Sequence, residues 1–163
     1  MRTFFLALPC LTTLHCAAQE PATQMPLLVS VTANGSDCGQ FNVVLFKGNQ
    51  RVAELPPTKH SAFQLDLDLN EHFSVRVEKQ GYRDKTISID THVPEGAFTD
   101  EPIAYTLDLE PLDRFVHADP FYLDFPCGLI QWDHETARFD HSEPYLADIQ
   151  LKIALLATQA SVE

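Results

Sequence analysis

The chain has 163 residues, of which 23 are Asp or Glu and 11 are Lys or Arg, so its formal net charge at pH 7 is −12. Nucleic acid and anionic lipid surfaces would repel such an acidic chain, which argues against partners of either kind. The length is sufficient for one domain with a substantial hydrophobic core.

The first 18 residues have the pattern of an export signal. A positively charged second residue precedes the apolar run 4–14, and small residues lie just before a cleavage point at Gln19. The apolar run is shorter than the roughly 20 residues that cross a membrane as a helix. We therefore predict that residues 1–18 are removed. The mature chain, without a transmembrane segment, would be exported to the periplasm or the outer membrane, or secreted.

The cysteines divide between the signal and the mature chain. Cys10 and Cys16 fall within the signal, and lipidation of either is the alternative to simple cleavage, ranked second because neither follows a small residue. Cys38 and Cys127 remain, in an oxidising compartment if the chain is exported. A disulfide between them would stabilise the fold by about 4–5 kcal/mol in the chain-entropy model. Two buried thiols are the other possibility, and the sequence leaves both open.

A linker over residues 19–26 leads into a region where apolar and polar residues alternate. This period of two predicts strands with one face in a core and one face in water. Turn signals rich in Gly, Pro and Asn separate the strands, and Gly48 with Asn49 has the form of a tight hairpin loop. The predicted strands span residues 27–31, 41–46, 51–55, 63–69, 73–78, 87–90 and 103–110.

Seven short strands without helical periodicity between them predict a mainly β fold, a seven-stranded antiparallel β-sandwich over residues 27–112. Residues 113–163 form a C-terminal extension, in which 128–132 has the composition of one more strand. The Ser-Glu-Pro segment 142–144 has the chemistry of a helix start. The predicted helix runs from about residue 144 to 158 and packs by an apolar face on the sandwich or on a partner.

Residues 73–91 (FSVRVEKQGYRDKTISIDT) resemble the closing hairpin of a known family of domains. The shared pattern is a strand, a Lys-x-Gly-Tyr turn at residues 79–82 and a second strand. It is similar to the carboxypeptidase-regulatory-like (transthyretin-like) β-sandwich domain of exported Bacteroidota envelope proteins, although the opening hairpin of that family is missing. The resemblance implies a transthyretin-like or Ig-like sandwich and an envelope location. A shared fold does not by itself define a function.

Three basic residues lie at the turn of this hairpin: Lys79, Arg83 and Lys85. On an acidic protein, basic groups in a loop can form a recognition surface or can simply be solvated. We interpret them as solvated side chains that pair with acidic neighbours in the same loop.

The aromatic residues near this turn define a candidate binding surface. Gly81 can adopt the positive φ of a chain reversal, and Tyr82 can then cover the end of the core. Further aromatic residues follow in the loop after the last predicted strand. The candidate surface consists of Tyr82, Phe115, Phe121 and Tyr122.

The sequence carries no nucleophile elbow, phosphate-binding loop or dinucleotide fingerprint. We therefore predict a non-catalytic exported module, a binding or structural component of the bacterial cell envelope, with an envelope protein or a glycan as its partner. No catalytic, cofactor or metal residue is assigned. The alternative is a small secreted metal-dependent hydrolase, although the spacing of its ligands matches no zinc motif. That hydrolase would use His117, Asp119, Asp133 and His134, and Asp140 with His141 could also supply metal ligands in this segment, although exposed turn residues are the simpler interpretation.

Overall fold

The computed structural model describes residues 23–58, 61–97, 101–115 and 123–160. These residues form ten strands, a short 3-10 helix and a C-terminal α-helix, so the protein is mainly β. The strands are β1 (Gln24–Ala33), β2 (Ser36–Asp37), β3 (Phe41–Lys47), β4 (Gln50–Thr58), β5 (Ala62–Asp68), β6 (His72–Glu78), β7 (Lys85–Asp90), β8 (Ile103–Leu109), β9 (Gly128–Asp133) and β10 (Arg138–His141). The 3-10 helix spans Leu112–Phe115, and helix α1 spans Glu143–Ala160.

The strands form two sheets. In the first, β1 pairs antiparallel with β2 and β5 and parallel with β8. The second sheet has the order β10-β9-β7-β6-β3-β4 and is antiparallel except for the parallel pair of β7 and β9. The prediction of an entirely antiparallel arrangement was therefore wrong. Alternation along a strand shows which face a side chain takes, but it does not show which strand lies alongside.

Apolar side chains from both sheets form one hydrophobic core. Leu27 and Val29 on β1 are fully buried, as are Val75 on β6 and Ile87 on β7. Full burial of each such side chain contributes about 1.5–3 kcal/mol to stability. All seven strands predicted from alternation are present, and so is the tight hairpin at Gly48, which has a φ of 56°.

The described residues form ten strands, however, and not seven. The additional strands are β2, β9 and β10, and β9 is the further strand that the sequence suggested. Because β9 and β10 join the second sheet, a boundary at residue 112 does not separate the two sheets from the extension. Strand β1 starts at Gln24, within the predicted linker 19–26. The predicted signal, residues 1–18, lies outside the described residues.

The C-terminal helix matches its prediction to within two residues at each end. Ile149 is buried, and the hydroxyl of Tyr145 donates a hydrogen bond of 2.8 Å to the carbonyl of Pro126. Lys152 and Asp148 pair on the exposed side, with 2.6 Å between Nζ and Oδ2. The helix thus packs on the body of the protein through one face. Within the described ranges, no helix is both long and apolar enough to cross a membrane.

Candidate metal centre

The β6–β7 hairpin carries the candidate site at its open end. Its turn contains Gly81 with a φ of 82°, a conformation that favours glycine. The strands pair from Val77 with Lys85, next to the turn, to His72 with Asp90 at the open end. Since Phe73 and its alternate neighbours on β6 are buried, His72 and Asp90 lie on the outer face of the sheet.

Thr91 fixes the segment that follows β7. Its side chain is fully buried, and its hydroxyl lies 2.7 Å from the carbonyl oxygen of Asp68 and 2.9 Å from that of Glu71. The same hydroxyl accepts a hydrogen bond of 2.9 Å from the backbone N–H of Glu71. The backbone N–H of Asn70 donates to the carbonyl of Thr91 at 2.9 Å. The residues before β6 and after β7 are therefore held together by buried hydrogen bonds.

Three potential metal ligands converge on the outer face at this end. Nδ1 of His92 lies 2.6 Å from Oδ1 of Asp90, and Nδ1 of His72 lies 3.7 Å from the same oxygen. The centroids of the two imidazole rings are 4.8 Å apart. One ligand atom from each residue lies within 4.8 Å of the other two, and no other group of three or more such residues is found in the described part of the chain.

The surroundings of Asp90 favour the ionised form of its carboxyl group. Partial burial acts to raise its pKa, but the backbone N–H of His92, the imidazole of His92 and the positive charge of both imidazoles together lower the pKa below its ordinary value. A carboxylate that is already ionised can bind a cation without first losing a proton. Asp90 is therefore a suitable anionic ligand at neutral pH.

Two imidazole nitrogens and one carboxylate oxygen suit Zn²⁺, Cu²⁺ and similar transition-metal ions, whereas Mg²⁺ and Ca²⁺ prefer oxygen ligands alone. With bonds of about 2.0–2.2 Å, ligand atoms around zinc lie roughly 3.3 Å apart. The 2.6 Å between Nδ1 of His92 and Oδ1 of Asp90 is shorter than this, and the 3.7 Å between Nδ1 of His72 and the same oxygen is longer, so the side chains would have to adjust around an ion. The side chains of His72 and His92 are 67% and 52% exposed, so both rings have room to rotate toward an ion. The exposed side would leave coordination positions for water or a further ligand.

The C-terminal residues of the hydrolase hypothesis have other contacts. The carboxylate of Asp133 accepts hydrogen bonds of 2.8 Å from the backbone N–H of Glu135 and from the hydroxyl of Thr136. His141 pairs with Asp140 and with Glu143.

His134 is exposed in the turn between β9 and β10, while His117 and Asp119 lie outside the described residues. Within the described part of the chain, the remaining C-terminal residues do not form a three-ligand cluster.

The structure describes two of the four residues of the candidate binding surface, Tyr82 and Phe115. Phe121 and Tyr122 lie outside the described residues. Phe115 is 6% exposed, so its assignment to an accessible surface was wrong. The guanidinium of Arg83 packs over this ring, 5.3 Å from its centroid. Tyr82 is half-buried and packs against the core, as expected of a residue that covers its end.

The interpretation of Arg83 and Lys85 as solvated side chains was also wrong. Arg83 is 4% exposed, and its backbone N–H donates a hydrogen bond of 2.9 Å to the carbonyl of Glu110. Its Nη1 lies 3.6 Å from Oε2 of Glu110, and Nζ of Lys85, with a side chain 12% exposed, lies 3.1 Å from the same oxygen. Lys79 instead donates to the carbonyl of Gln40 at 2.9 Å. Arg83 and Lys85 thus share the carboxylate of Glu110, the residue that follows β8.

Both cysteines in the described residues are free thiols. Sγ of Cys38 is buried and lies 3.4 Å from the carbonyl oxygen of Val31. Burial raises the pKa of both Cys38 and Cys127 above the ordinary thiol value. Near Cys127, Gly128 has no room for a side chain, because a Cβ atom there would overlap the ring of Tyr105.

No family model matches the chain, and no curated protein matches it. A solved structure titled "Crystal Structure of S.CueP" is similar, with 15% sequence identity and a TM-score of 0.38. The similarity covers 54% of this chain and 64% of that one. At this level, the likeness supports no conclusion about fold or function.

Proposed function

We propose that this chain is an exported, non-catalytic β-sandwich module of the bacterial cell envelope that binds one transition-metal ion at His72, Asp90 and His92. The observation that carries the proposal is the convergence of two imidazoles and one carboxylate, with ligand atoms within 4.8 Å of one another. The preferred ions are Cu²⁺ and Zn²⁺, in keeping with the donor set.

Three features support the sandwich and its location. The inner faces of both sheets contribute to a single core, as the layers of a sandwich do. The pattern of residues 1–18 supports export, and the resemblance of the β6–β7 hairpin to carboxypeptidase-regulatory-like domains supports an envelope location. An exported protein meets metal ions that are not buffered by the cytoplasm, which suits a surface site for a free ion.

The position of the site favours binding over catalysis. A catalytic metal is generally placed in a shaped, water-excluding cavity that also positions the substrate. His72 and His92 instead lie on an exposed outer face, with more than half of each side chain accessible. The buried hydrogen bonds of Thr91 hold the backbone on both sides of the site. Such a site can capture an ion or present it to another molecule.

Calorimetric titration of the protein without residues 1–18 tests the proposal. We expect one Cu²⁺ or Zn²⁺ per chain, with Cu²⁺ bound more tightly, and no binding of Mg²⁺. His72→Ala and His92→Ala should each weaken binding at least tenfold, because each removes one ligand. His134→Ala is the matched control, since His134 is an exposed histidine outside the cluster.

The same control separates the two hypotheses about function. Equal affinity in wild type, His72→Ala and His92→Ala would overturn the proposed site. Loss of stoichiometric metal in His134→Ala alone would favour the hydrolase hypothesis, in which the C-terminal histidines are ligands.

A further inference from the structure

Helix α1 is apolar on two opposite sides, and the body of the protein covers one of them. On the covered side Ile149 is 4% exposed, and Tyr145 and Leu146 are half-buried. Leu151 follows Ile149 by two positions, about 200° further around the helix, and is 61% exposed. Because a helix that is apolar on both sides is normally buried on both, the outer side of α1 is a candidate interaction surface.

The exposed apolar residues on the outer side form a single stripe. They recur at intervals of three or four positions, which keeps them on one face of the helix. This outer stripe consists of Pro144, Ala147, Leu151 and Leu155, all of them exposed. Of the five large apolar side chains that are exposed in the described residues, Leu151 and Leu155 lie on α1, and Leu112 lies in the 3-10 helix next to it. Exposed apolar surface is therefore concentrated in this part of the molecule.

The charges beside the outer stripe are complementary to themselves. Asp148 and Lys152 lie one turn apart on the same border of the stripe, and their side chains are 54% and 46% exposed. When two identical helices pack antiparallel around a two-fold axis, like borders face each other. An axis near Gln150 then places Asp148 of each copy opposite Lys152 of the other copy.

A parallel pair of helices would not match charges in this way. In a parallel pair, opposite borders of the stripe face each other. The opposite border carries Glu143 and Gln150, so Asp148 would meet no cation there. The antiparallel arrangement is therefore the one that the side chains favour.

A lipid surface fits the outer stripe less well than a second copy does. Helices that lie on membranes carry several Lys or Arg side chains on their polar face. Lys152 is the one basic residue in the sequence of α1, and the chain as a whole is strongly acidic. A second copy supplies both an identical apolar stripe and the opposite charges.

We infer that this protein forms a two-fold symmetric dimer, in which the α1 helices of two copies pack antiparallel through the outer stripe. The helix is about 27 Å long, so the interface is small and the dimer dissociates on dilution. The inference goes beyond metal binding and does not depend on it, because the three proposed ligands lie on β6, on β7 and in the segment after β7.

Sedimentation velocity of the mature protein, from low micromolar to near-millimolar concentration, tests this inference. EDTA is included so that a metal ion cannot bridge two copies, and about 0.15 M salt screens repulsion between distant exposed charges. We expect a reversible equilibrium between monomer and dimer. Leu151→Glu should weaken association at least tenfold, and the fold should be retained because Leu151 is exposed. Val52→Glu is the matched control, since Val52 is 51% exposed on β4, and should associate as wild type does.

A pair of charge variants tests the antiparallel arrangement. Asp148→Lys gives the border two cations and Lys152→Asp gives it two anions, so each variant alone should associate at least tenfold more weakly than wild type. Mixing the two variants places opposite charges across the interface, and association in the mixture should return to at least the wild-type level.

Three outcomes would overturn the inference: a monomer at every concentration, association of Leu151→Glu equal to that of wild type, or no recovery in the mixture of charge variants. A monomer that instead binds vesicles of zwitterionic phospholipid would assign the outer stripe to a lipid surface. His72→Ala, which removes a metal ligand, should dimerise as wild type does, so failure of the metal proposal and of this inference can be told apart.

Discussion

Asp90 lies directly opposite His72 at the open end of the β6–β7 hairpin, with its Oδ1 atom 3.7 Å from Nδ1 of His72. Side chains at directly opposed positions have Cβ atoms about 4.5–5.5 Å apart, close enough to share one ion. His92 approaches the same oxygen from two residues further along the chain. The carboxylate of Asp90 thus lies near two imidazoles, one on β6 and one in the segment that follows β7.

A bound ion should stabilise the fold, because the unfolded chain does not hold these three ligands together. A ligand at 100 times its dissociation constant stabilises the native state by about 2.7 kcal/mol. Saturating Zn²⁺ should therefore raise the melting temperature of the wild-type protein by several degrees. Differential scanning calorimetry of wild type and His92→Ala, each with Zn²⁺ and with Mg²⁺, measures this. An equal shift in His92→Ala would show that the ion binds elsewhere.

Thr91→Val should weaken both stability and metal binding. Valine keeps the shape of threonine but removes the hydroxyl that joins Glu71 and Asp68 to the end of β7. Leaving these buried groups without a partner should lower the free energy of unfolding by about 1–3 kcal/mol. Because the same hydrogen bonds hold the backbone on both sides of the site, Zn²⁺ affinity should fall about tenfold.

Urea denaturation and zinc titration of Thr91→Val measure the two effects. Thr106→Val, at an exposed position of β8, is the control and should change neither quantity appreciably. If Thr91→Val loses stability but keeps the metal affinity of wild type, Thr91 does not position the ligands.

Asp108 should make stability depend on acid pH. The backbone N–H of Gly35 and the hydroxyl of Thr32 stabilise its charged form and lower its pKa. Its contribution is therefore present above the unfolded value of about 3.9 and is lost as the pH falls through the lower pKa of the folded protein. Asp108→Asn should lower the urea midpoint at pH 7, and the difference from wild type should shrink toward pH 2. A difference that stays constant over this range would contradict the assignment.

The two thiols should be free and slow to react in the native protein. Burial raises the pKa of both groups, and the thiolate is the reactive form. Without reductant, iodoacetamide at pH 8 should label Cys38 and Cys127 slowly in the folded protein and rapidly in guanidinium chloride. Mass spectrometry counts the labels. No labels on the unfolded chain would instead indicate the disulfide that the sequence leaves open.

The alternation of apolar residues was enough to find seven strands, and β1, β5 and β6 do bury every second side chain over most of their length. It could not find β2, which has only two residues, or β10, in which Phe139 is the buried apolar residue. The parallel pairings of β8 with β1 and of β9 with β7 could not be predicted either. The pattern within one strand carries no information about which strand lies next to it.

Alternation could have corrected the interpretation of the basic residues. Arg83 and Lys85 have the same parity as Ile87 and Ile89, whose burial was expected. Extending the period of two back toward the turn would have placed both cations on the inner face, where the structure has them. Their charge suggested solvent, but Glu110 supplies a carboxylate on that side.

The metal ligands were predictable in part. Once Gly81 is taken as the centre of the hairpin, His72 and Asp90 are equidistant from it and must face each other, as they do. Closeness in sequence instead points to the C-terminal histidines, which lie beside aspartates. The position of His92 depends on how the chain leaves β7, which the sequence pattern does not show.

Electron paramagnetic resonance of the protein loaded with one equivalent of Cu²⁺ tests the metal site most directly. Imidazole nitrogens bound to Cu²⁺ split the signal, so the number of coordinated histidines can be counted. We expect two coupled nitrogens in wild type and in His134→Ala, and one in either His72→Ala or His92→Ala. A spectrum that is identical in wild type, His72→Ala and His92→Ala would contradict the assignment of these residues as ligands.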